Sequence, residues 1–230
     1  FIEFDAPFMV WNSCAQNYYA YNPADDAYIL SPGEALFVQR PVDQKDITFL
    51  KDGRQINQYA RTLIDETTQA RARGKEGVQR SVFNLTLSGE NTSDRTRVVL
   101  NDEASMTYEM NKDAAKFASM KAGSPSLYSF DGQNHSLAIN ERPKADGIVR
   151  LGVAITKKGT YTLSLKEAIA TDLKLVDKVT GSVCDLATSN YEFEAEVGTY
   201  NDRFELRSGV ATANEMIDSS VRCMIRDGQL

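Results

Sequence analysis

SVFNLTLSGENTSDRTRVVLND, residues 81–102, reads as two strands and the turn between them. Phe83, Leu85 and Leu87 fall on one face of the first run, and Val82, Asn84, Thr86 and Ser88 fall on the other. Alternation with period two is the mark of a half-buried strand. GENTSD (89–94) supplies turn-forming residues, and RTRVVLND (95–102) returns. A lone hairpin cannot bury its apolar face, so this one needs further strands or another layer to pack against.

The same period recurs in both directions. SLYSFD (126–131), SLAIN (136–140), GIVRLGVAI (147–155), GTYTLSLKE (159–167), DLKLVD (172–177), SVCDL (182–186), YEFEAE (191–196) and NDRFELR (201–207) all read as strands. Short strands at this spacing point to a β-sandwich. TKKG and KVTG stand where tight turns belong. Upstream, NYYAY (17–21), DAYIL (26–30), EALFVQRP (34–41) and DITFL (46–50) are further strand candidates.

Two stretches break the pattern. NQYARTLIDETTQARARGKEGVQ (57–79) is polar and reads as a long loop. In NKDAAKFASMKAGSPS (111–126), Asp113 is placed to cap a helical turn from Ala114 to Met120, and Gly, Ser and Pro then mark a boundary near residue 123. The expected fold is all-β, with two tandem β-sandwich domains of immunoglobulin-like or jelly-roll type. The first covers 1–122 and includes the 57–79 loop. The second covers 126–208, and 209–230 is a tail or linker.

Composition narrows the function classes. The 230 residues carry a net charge of −6. That balance argues against a nucleic-acid partner, which requires a dense basic patch. No apolar run approaches the roughly 18 residues of a membrane-spanning helix, so no membrane insertion is expected. FIEFDAPFMVWN at the start lacks the basic and apolar regions of a signal peptide, and VRCMIRDGQL ends on a strand-like run. Both ends read as cuts within a longer chain. Cys14, Cys184 and Cys223 have no metal-binding spacing and read as small apolar residues, with one disulfide left open.

The order SPGEALFVQ, DITF, SVFNLTLSGENTSDRTRVVLNDEASMTYEMNKDAAKF, LYSFDGQNHSLAIN, LGVAITKKGTYTLSL, LKLVDKVTGSVCDLATSNYEF and GTYNDRFEL resembles a known arrangement. It is similar to the β-rich C-terminal region of large secreted or surface proteins of Bacteroidetes, which often precedes a type IX secretion sorting tail. The resemblance runs from about residue 30 to 207 and is most specific over 172–206. It implies a secreted or cell-surface location, a sandwich module, and neighbouring domains of a longer chain as partners. It implies no catalytic residue.

The residues themselves carry little chemistry. His135, the single histidine, lies in GQNHS, which excludes HExxH and any other two-histidine metal motif. GxSxG, GxGxxG and GxxxxGK[ST] are absent, so neither a nucleophile elbow nor a nucleotide loop is present. Asp25–Asp26 and Asn101–Asp102–Glu103 are acidic clusters without the EF-hand spacing and read as turn and cap residues. No enzyme activity, metal or other cofactor is expected.

Trp11, Tyr18, Tyr19, Tyr21 and Tyr28 are the one local enrichment that suggests binding. Sugar rings and protein surfaces both dock on exposed aromatic faces. The competing reading places these rings in the core. In a strand NYYAY, Tyr18 and Tyr19 point to opposite faces, which leaves one ring for solvent.

At the far end, YEFEAE and NDRFELR read as a hairpin through VGTY. Phe193 then faces Phe204 on the buried side, Arg203 meets Glu194 outside, and Asp202 points inward. The leading functional expectation is a non-catalytic structural or interaction module of a secreted or surface protein. A carbohydrate- or protein-binding module of adhesin type follows, and a hydrolase comes last.

Overall fold

The computed structural model describes residues 6–13, 15–26, 28–39, 80–144, 147–166 and 173–208. In chain order the strands are β1 (Phe8–Asn12), β2 (Asn17–Tyr21), β3 (Leu36–Val38), β4 (Ser81–Ser88), β5 (Ser93–Leu100), β6 (Ala114–Ala115) and β7 (Ser126–Phe130). Then follow β8 (Ser136–Arg142), β9 (Ile148–Ile155), β10 (Gly159–Lys166), β11 (Leu173–Asp177), β12 (Ser182–Asp185), β13 (Tyr191–Ala195) and β14 (Gly198–Ser208). The all-β expectation holds for the described residues.

The alternation of residues 81–88 is realised in the structure. Phe83, Leu85 and Leu87 have no exposed surface. β4 and β5 pair from Ser81↔Leu100 to Ser88↔Ser93, and the turn is closed by Gly89 N–H donating to the Thr92 carbonyl at 2.8 Å. This hairpin lies inside an eleven-stranded sheet that runs β12-β11-β14-β9-β7-β8-β5-β4-β10-β13, with β6 beside β8.

The sheet folds over one core. β4, β5, β10 and β13 contribute Phe83, Leu85, Leu87, Val98, Tyr161, Leu163 and Phe193, while β9, β11 and β14 contribute Leu151, Val153, Leu173, Leu175, Phe204 and Leu206. Phe193 and Phe204 meet across it with ring centroids 4.8 Å apart. β7 makes the corner, pairing with β9 over Ser126–Ser129 and with β8 at Ser129 and Phe130. The result is a nearly closed, barrel-like sheet with free edges at β12 and β13.

This pairing corrects the boundary placed near residue 123. β5 pairs with β8 and β4 pairs with β10, so hydrogen bonds and a single apolar cluster cross the division between 1–122 and 126–208. The eight strands read between 126 and 207 are all present, but they share their core with β4 and β5. TKKG (156–159) is also not a hairpin turn: β9 and β10 pair with other strands, and the segment carries the chain from one half of the sheet to the other. KVTG is the expected turn between β11 and β12, with Gly181 at φ +73 as the tight return requires.

The helical turn expected from Ala114 to Met120 is absent. Ala114 and Ala115 pair with β8, and Lys116 N–H donates to the Ser136 carbonyl. Asp113 caps no helix; it accepts the backbone N–H of Glu109 at 2.7 Å and of Glu141 at 2.8 Å. Burial raises its pKa to about 7, with the charges of Glu109 and Glu141 also acting upward and the two backbone bonds acting downward. DAYIL forms no strand among its described residues. DITFL, the 57–79 loop, the 209–230 tail, Cys14 and Cys223 lie outside the described residues, and Cys184 is a free thiol.

The expected β13–β14 hairpin is also replaced. Among the described residues β13 pairs only with β10, whereas β14 pairs with β9 and β11. Phe193 and Phe204 therefore face each other across the core and not along one sheet. Between Tyr200 and Phe204 the β14 register shifts against β9. The bulge swings Asp202 outward, 78% exposed beside Arg150, and turns Arg203 inward.

Arg203 then reaches Asp177 at the end of β11. Its Nη2 is 2.8 Å from Asp177 Oδ2, and Nε is 3.1 Å from both carboxylate oxygens. The Tyr191 hydroxyl donates to Oδ2 at 2.9 Å and Val179 N–H to Oδ1 at 2.9 Å. The guanidinium also lies 4.9 Å from the Phe193 ring and 4.8 Å from that of Phe204. Burial pushes the Asp177 carboxyl up, but Arg203, Tyr191 and the backbone donor outweigh it and hold it below the usual range. On the other side, Arg203 Nη1 meets the Glu194 backbone carbonyl at 3.4 Å, not the expected carboxylate.

Breaking this pair strands a buried charge. Asp177→Ala is expected to cost about 3–5 kcal/mol in urea unfolding. A carboxyl lowered on folding stabilises above its unfolded pKa and loses that contribution as pH falls through the folded value. The wild-type chain should therefore lose stability below about pH 4 more steeply than Asp177→Asn. Unfolding curves that superimpose across this range would remove Asp177 from the acid response.

Gly152 sits opposite Tyr128, whose ring atoms come within 2.0 Å of where a Cβ would stand. Gly152→Ala should lower stability by about 1–3 kcal/mol through overpacking. Tyr128→Ala in the same chain should make the alanine nearly neutral, which a double-mutant cycle in urea measures.

Candidate functional site

β1, β2 and β3 form a separate sheet in the order β2-β1-β3. Met9 and Ala20 pack with Ala114, Ala138 and Ile139, which seats this sheet against β6 and β8. The sequence reading missed β1, because FMVWN offers only one short apolar run. Its register places Trp11 opposite Tyr18, Val10 opposite Tyr19 and Phe8 opposite Tyr21.

The five aromatic candidates are all half-buried and divide between two faces. Trp11 and Tyr18 lie 4.9 Å apart by ring centroid, and Tyr18 continues to Phe37 at 5.5 Å and Phe117 at 5.3 Å. Tyr21 instead meets Tyr28 at 4.4 Å and Phe8 at 5.7 Å. Tyr19 stands against Arg95, whose guanidinium lies 4.1 Å from its ring centre and 5.0 Å from that of Tyr21. Arg95 Nη2 also reaches the Ala20 carbonyl at 3.4 Å. Strand parity separated Tyr18 from Tyr19 correctly, but Arg95, some seventy residues downstream, gave no local signal.

Tyr19, Tyr21 and Tyr28 line a cleft of about 180 Å³ together with Val10, Trp11, Asn12, Ser13 and Glu34. The Tyr28 hydroxyl bonds to Glu34 Oε1, and Glu34 Oε2 accepts Ser31 N–H at 2.9 Å. Asn12 and Tyr19 also border a broader, shallower depression of about 510 Å³ that extends to the β4–β5 turn and Lys121. The two hollows share Asn12 and Tyr19 and present ring faces, amides and hydroxyls. Such a surface offers stacking area together with hydrogen-bonding groups that set orientation.

Of the acidic candidates, Asp25 and Asp26 are engaged by arginines, whereas Asp102 and Glu103 are exposed. Asp26 forms a two-point pair with Arg97, at 2.6 and 2.8 Å, and Arg97 Nε donates to Asn84 at 2.8 Å. Arg80 joins Asp25 to Glu141, and Asn101 donates to Glu141 at 2.7 Å. These contacts tie the Asn22–Asp26 turn to β4, β5 and β8. Among the described residues no group of three or more His, Cys, Asp or Glu side chains could hold a metal ion.

His135 lies in the β7–β8 turn with Nδ1 2.7 Å from Asp131 Oδ2. Asp131 Oδ1 accepts the N–H groups of Gln133 and His135, at 2.9 and 2.7 Å. Burial raises the Asp131 carboxyl, but His135 and the two backbone donors outweigh this and hold it low. The arrangement is a side-chain-closed turn, which explains why a histidine follows Gly132 and Asn134.

Comparison with curated proteins and with solved structures gave no match. Residues 5–208 match one protein family, whose limits coincide with the described β-structure. The chain belongs to that family, the Domain of unknown function (DUF8693).

Proposed function

We propose that this domain is a non-catalytic interaction module of a secreted or cell-surface bacterial protein, and that the aromatic cleft beside β1 and β2 binds glycan. One observation carries this reading. Tyr19, Tyr21 and Tyr28 are only half-buried and line a hollow with Asn12, Ser13 and Glu34, while Asp25 and Asp26 next to this sheet are paired with Arg80 and Arg97, and Arg95 lies against the Tyr19 and Tyr21 rings. A hollow with ring faces and few charges suits a polyhydroxylated ligand, whose C–H faces stack while its hydroxyls meet amides and a carboxylate.

The large sheet supplies the rigid body behind the cleft. Its two facing halves fit a sandwich-type module of immunoglobulin-like or jelly-roll kind, and neighbouring domains of a longer chain would be its other partners. The non-catalytic part of the reading draws support from the acids. Glu34 is the one carboxylate lining the cleft, and Asp25 and Asp26 are neutralised by arginines. Paired carboxylates for glycoside cleavage stand about 5–9.5 Å apart across a substrate.

A glycan array probed with the chain, followed by calorimetry on the best sugar, tests the proposal. Tyr21→Ala should weaken binding at least tenfold, about 1.4 kcal/mol or more, without lowering the unfolding midpoint appreciably. An empty array, or an affinity unchanged by Tyr19→Ala and Tyr21→Ala, would overturn the glycan assignment. Binding to an extended peptide at the same rings would replace glycan with protein as the ligand.

A further inference from the structure

Three side chains from three separate strands or strand ends converge at the start of β2. Asn17, the first residue of β2, has no exposed surface, Asp94 in β5 is 1% exposed, and the Lys116 side chain, just past β6, is 6% exposed. Asp94 Oδ1 accepts Lys116 Nζ at 2.7 Å and Asn17 Nδ2 at 2.8 Å. Lys116 Nζ is also 2.6 Å from Asp94 Oδ2, and it donates to the Arg95 carbonyl at 3.1 Å. Asp94 Oδ2 accepts Leu127 N–H at 2.7 Å. The amine and the carboxamide are thus held side by side by one carboxylate, in a place closed to bulk water.

We propose that Lys116 and Asn17 join in an intramolecular isopeptide bond, with Asp94 as the proton carrier. Asp94 removes a proton from the Lys116 ammonium. The neutral Nζ attacks Asn17 Cγ, a C–N bond forms, and the carbonyl oxygen Oδ1 becomes an oxyanion. Tyr18 N–H already donates to that oxygen at 2.8 Å and stabilises the charge as it develops. The Cγ–Nδ2 bond then breaks. The two protons that Lys116 gives up pass through Asp94 and depart with Nδ2, so ammonium is released and Asp94 returns to the carboxylate. No oxidant, reductant or co-reactant enters.

The surroundings favour each step. Burial lowers the pKa of Lys116 and outweighs the opposing pull of Asp94, which makes the neutral amine more accessible. Ala114 belongs to the apolar cluster under the small sheet and Phe117 packs against it, so both chain neighbourhoods of Lys116 are anchored. Holding both reactants on one buried carboxylate replaces an encounter with a unimolecular step. The product would tie β2 to the strand segment beside β8 and enclose residues 18–115 in a covalent loop. Tension on the small sheet would then load a covalent bond as well as the apolar contacts of Met9 and Ala20.

Intact-mass spectrometry of the folded chain, with peptide mapping, decides the matter. The wild type should be lighter than its sequence by one ammonia, and digestion should yield a branched peptide joining residues 17 and 116. Lys116→Arg keeps the ion pair with Asp94 and cannot form the bond; it should fold by circular dichroism and show the full mass. Asn17→Asp should retain a folded chain and lose water in place of ammonia. A folded wild type at full mass would overturn the proposal. So would loss of ammonia without a branched peptide, or a cross-link between residues 94 and 116 with loss of water.

Discussion

Arg203 is buried against Asp177 where the two free edges of the large sheet approach each other, and the closure of the fold depends on that contact. A sheet this long cannot remain flat, because strand twist curls it and each edge leaves N–H and C=O groups unpaired. Here β12 and β13 approach without pairing. Side chains bridge the gap instead: Tyr191 of β13 bonds to Asp177 of β11, and Arg203 spans from that carboxylate to the backbone of Glu194. The pair is worth more for geometry than for net energy, since desolvation offsets much of its attraction. An apolar substitute could fill the volume, but it would not specify which turn of β11 faces which residue of β13.

The same reasoning explains what the sequence revealed. Period two located Phe83, Leu85 and Leu87 on the buried face because that pattern is local and each strand must turn one face inward. Strand partners were not legible in the same way. TKKG has the length and composition of a hairpin turn, yet it connects opposite halves of the sheet, because nothing local distinguishes a return within one layer from a passage across the core. The Arg203 register failed for a related reason. NDRFELR shows no glycine or proline at the bulge, so simple alternation placed Asp202 inside and Arg203 outside, the reverse of the structure.

Two inward acids went unread, since Asp94 was assigned to the GENTSD turn and Asp177 only to the end of DLKLVD. In LKLVD, Asp177 shares parity with Leu173 and Leu175, and its side chain is wholly buried with them. Asp94 keeps parity with Val98 and Leu100 on β5 and is likewise buried. A carboxylate on an apolar face must find cations or N–H donors, because an isolated one costs several kcal/mol or more. That rule identifies the two positions that demand partners, though the partners, Arg203 and Lys116, come from distant segments. The aromatic candidates gave the opposite case. Their clustering was evident, but the division of five rings between two faces required the β1–β2 register, and β1 itself carried too short a pattern.

The position of the cleft follows from how the two sheets meet. The large sheet spends its inner face on the apolar core. Part of its outer face, along β4, β5 and β8, is covered by the Asn22–Asp26 turn through Arg80, Arg97 and their acids. The small sheet has only three short strands, and its contact with β6 and β8 uses Met9, Ala20 and the Tyr18–Phe117 side. Its opposite parity is therefore left with Phe8, Tyr19 and Tyr21, rings too large for one thin layer to bury. Arg95 holds two of them at the β2 edge by cation–π contact, a constraint that fixes ring orientation. A rigid body beneath, Asp25 and Asp26 paired with arginines at the margin and oriented rings above give the small sheet the preorganisation that weak, stacking-based recognition requires.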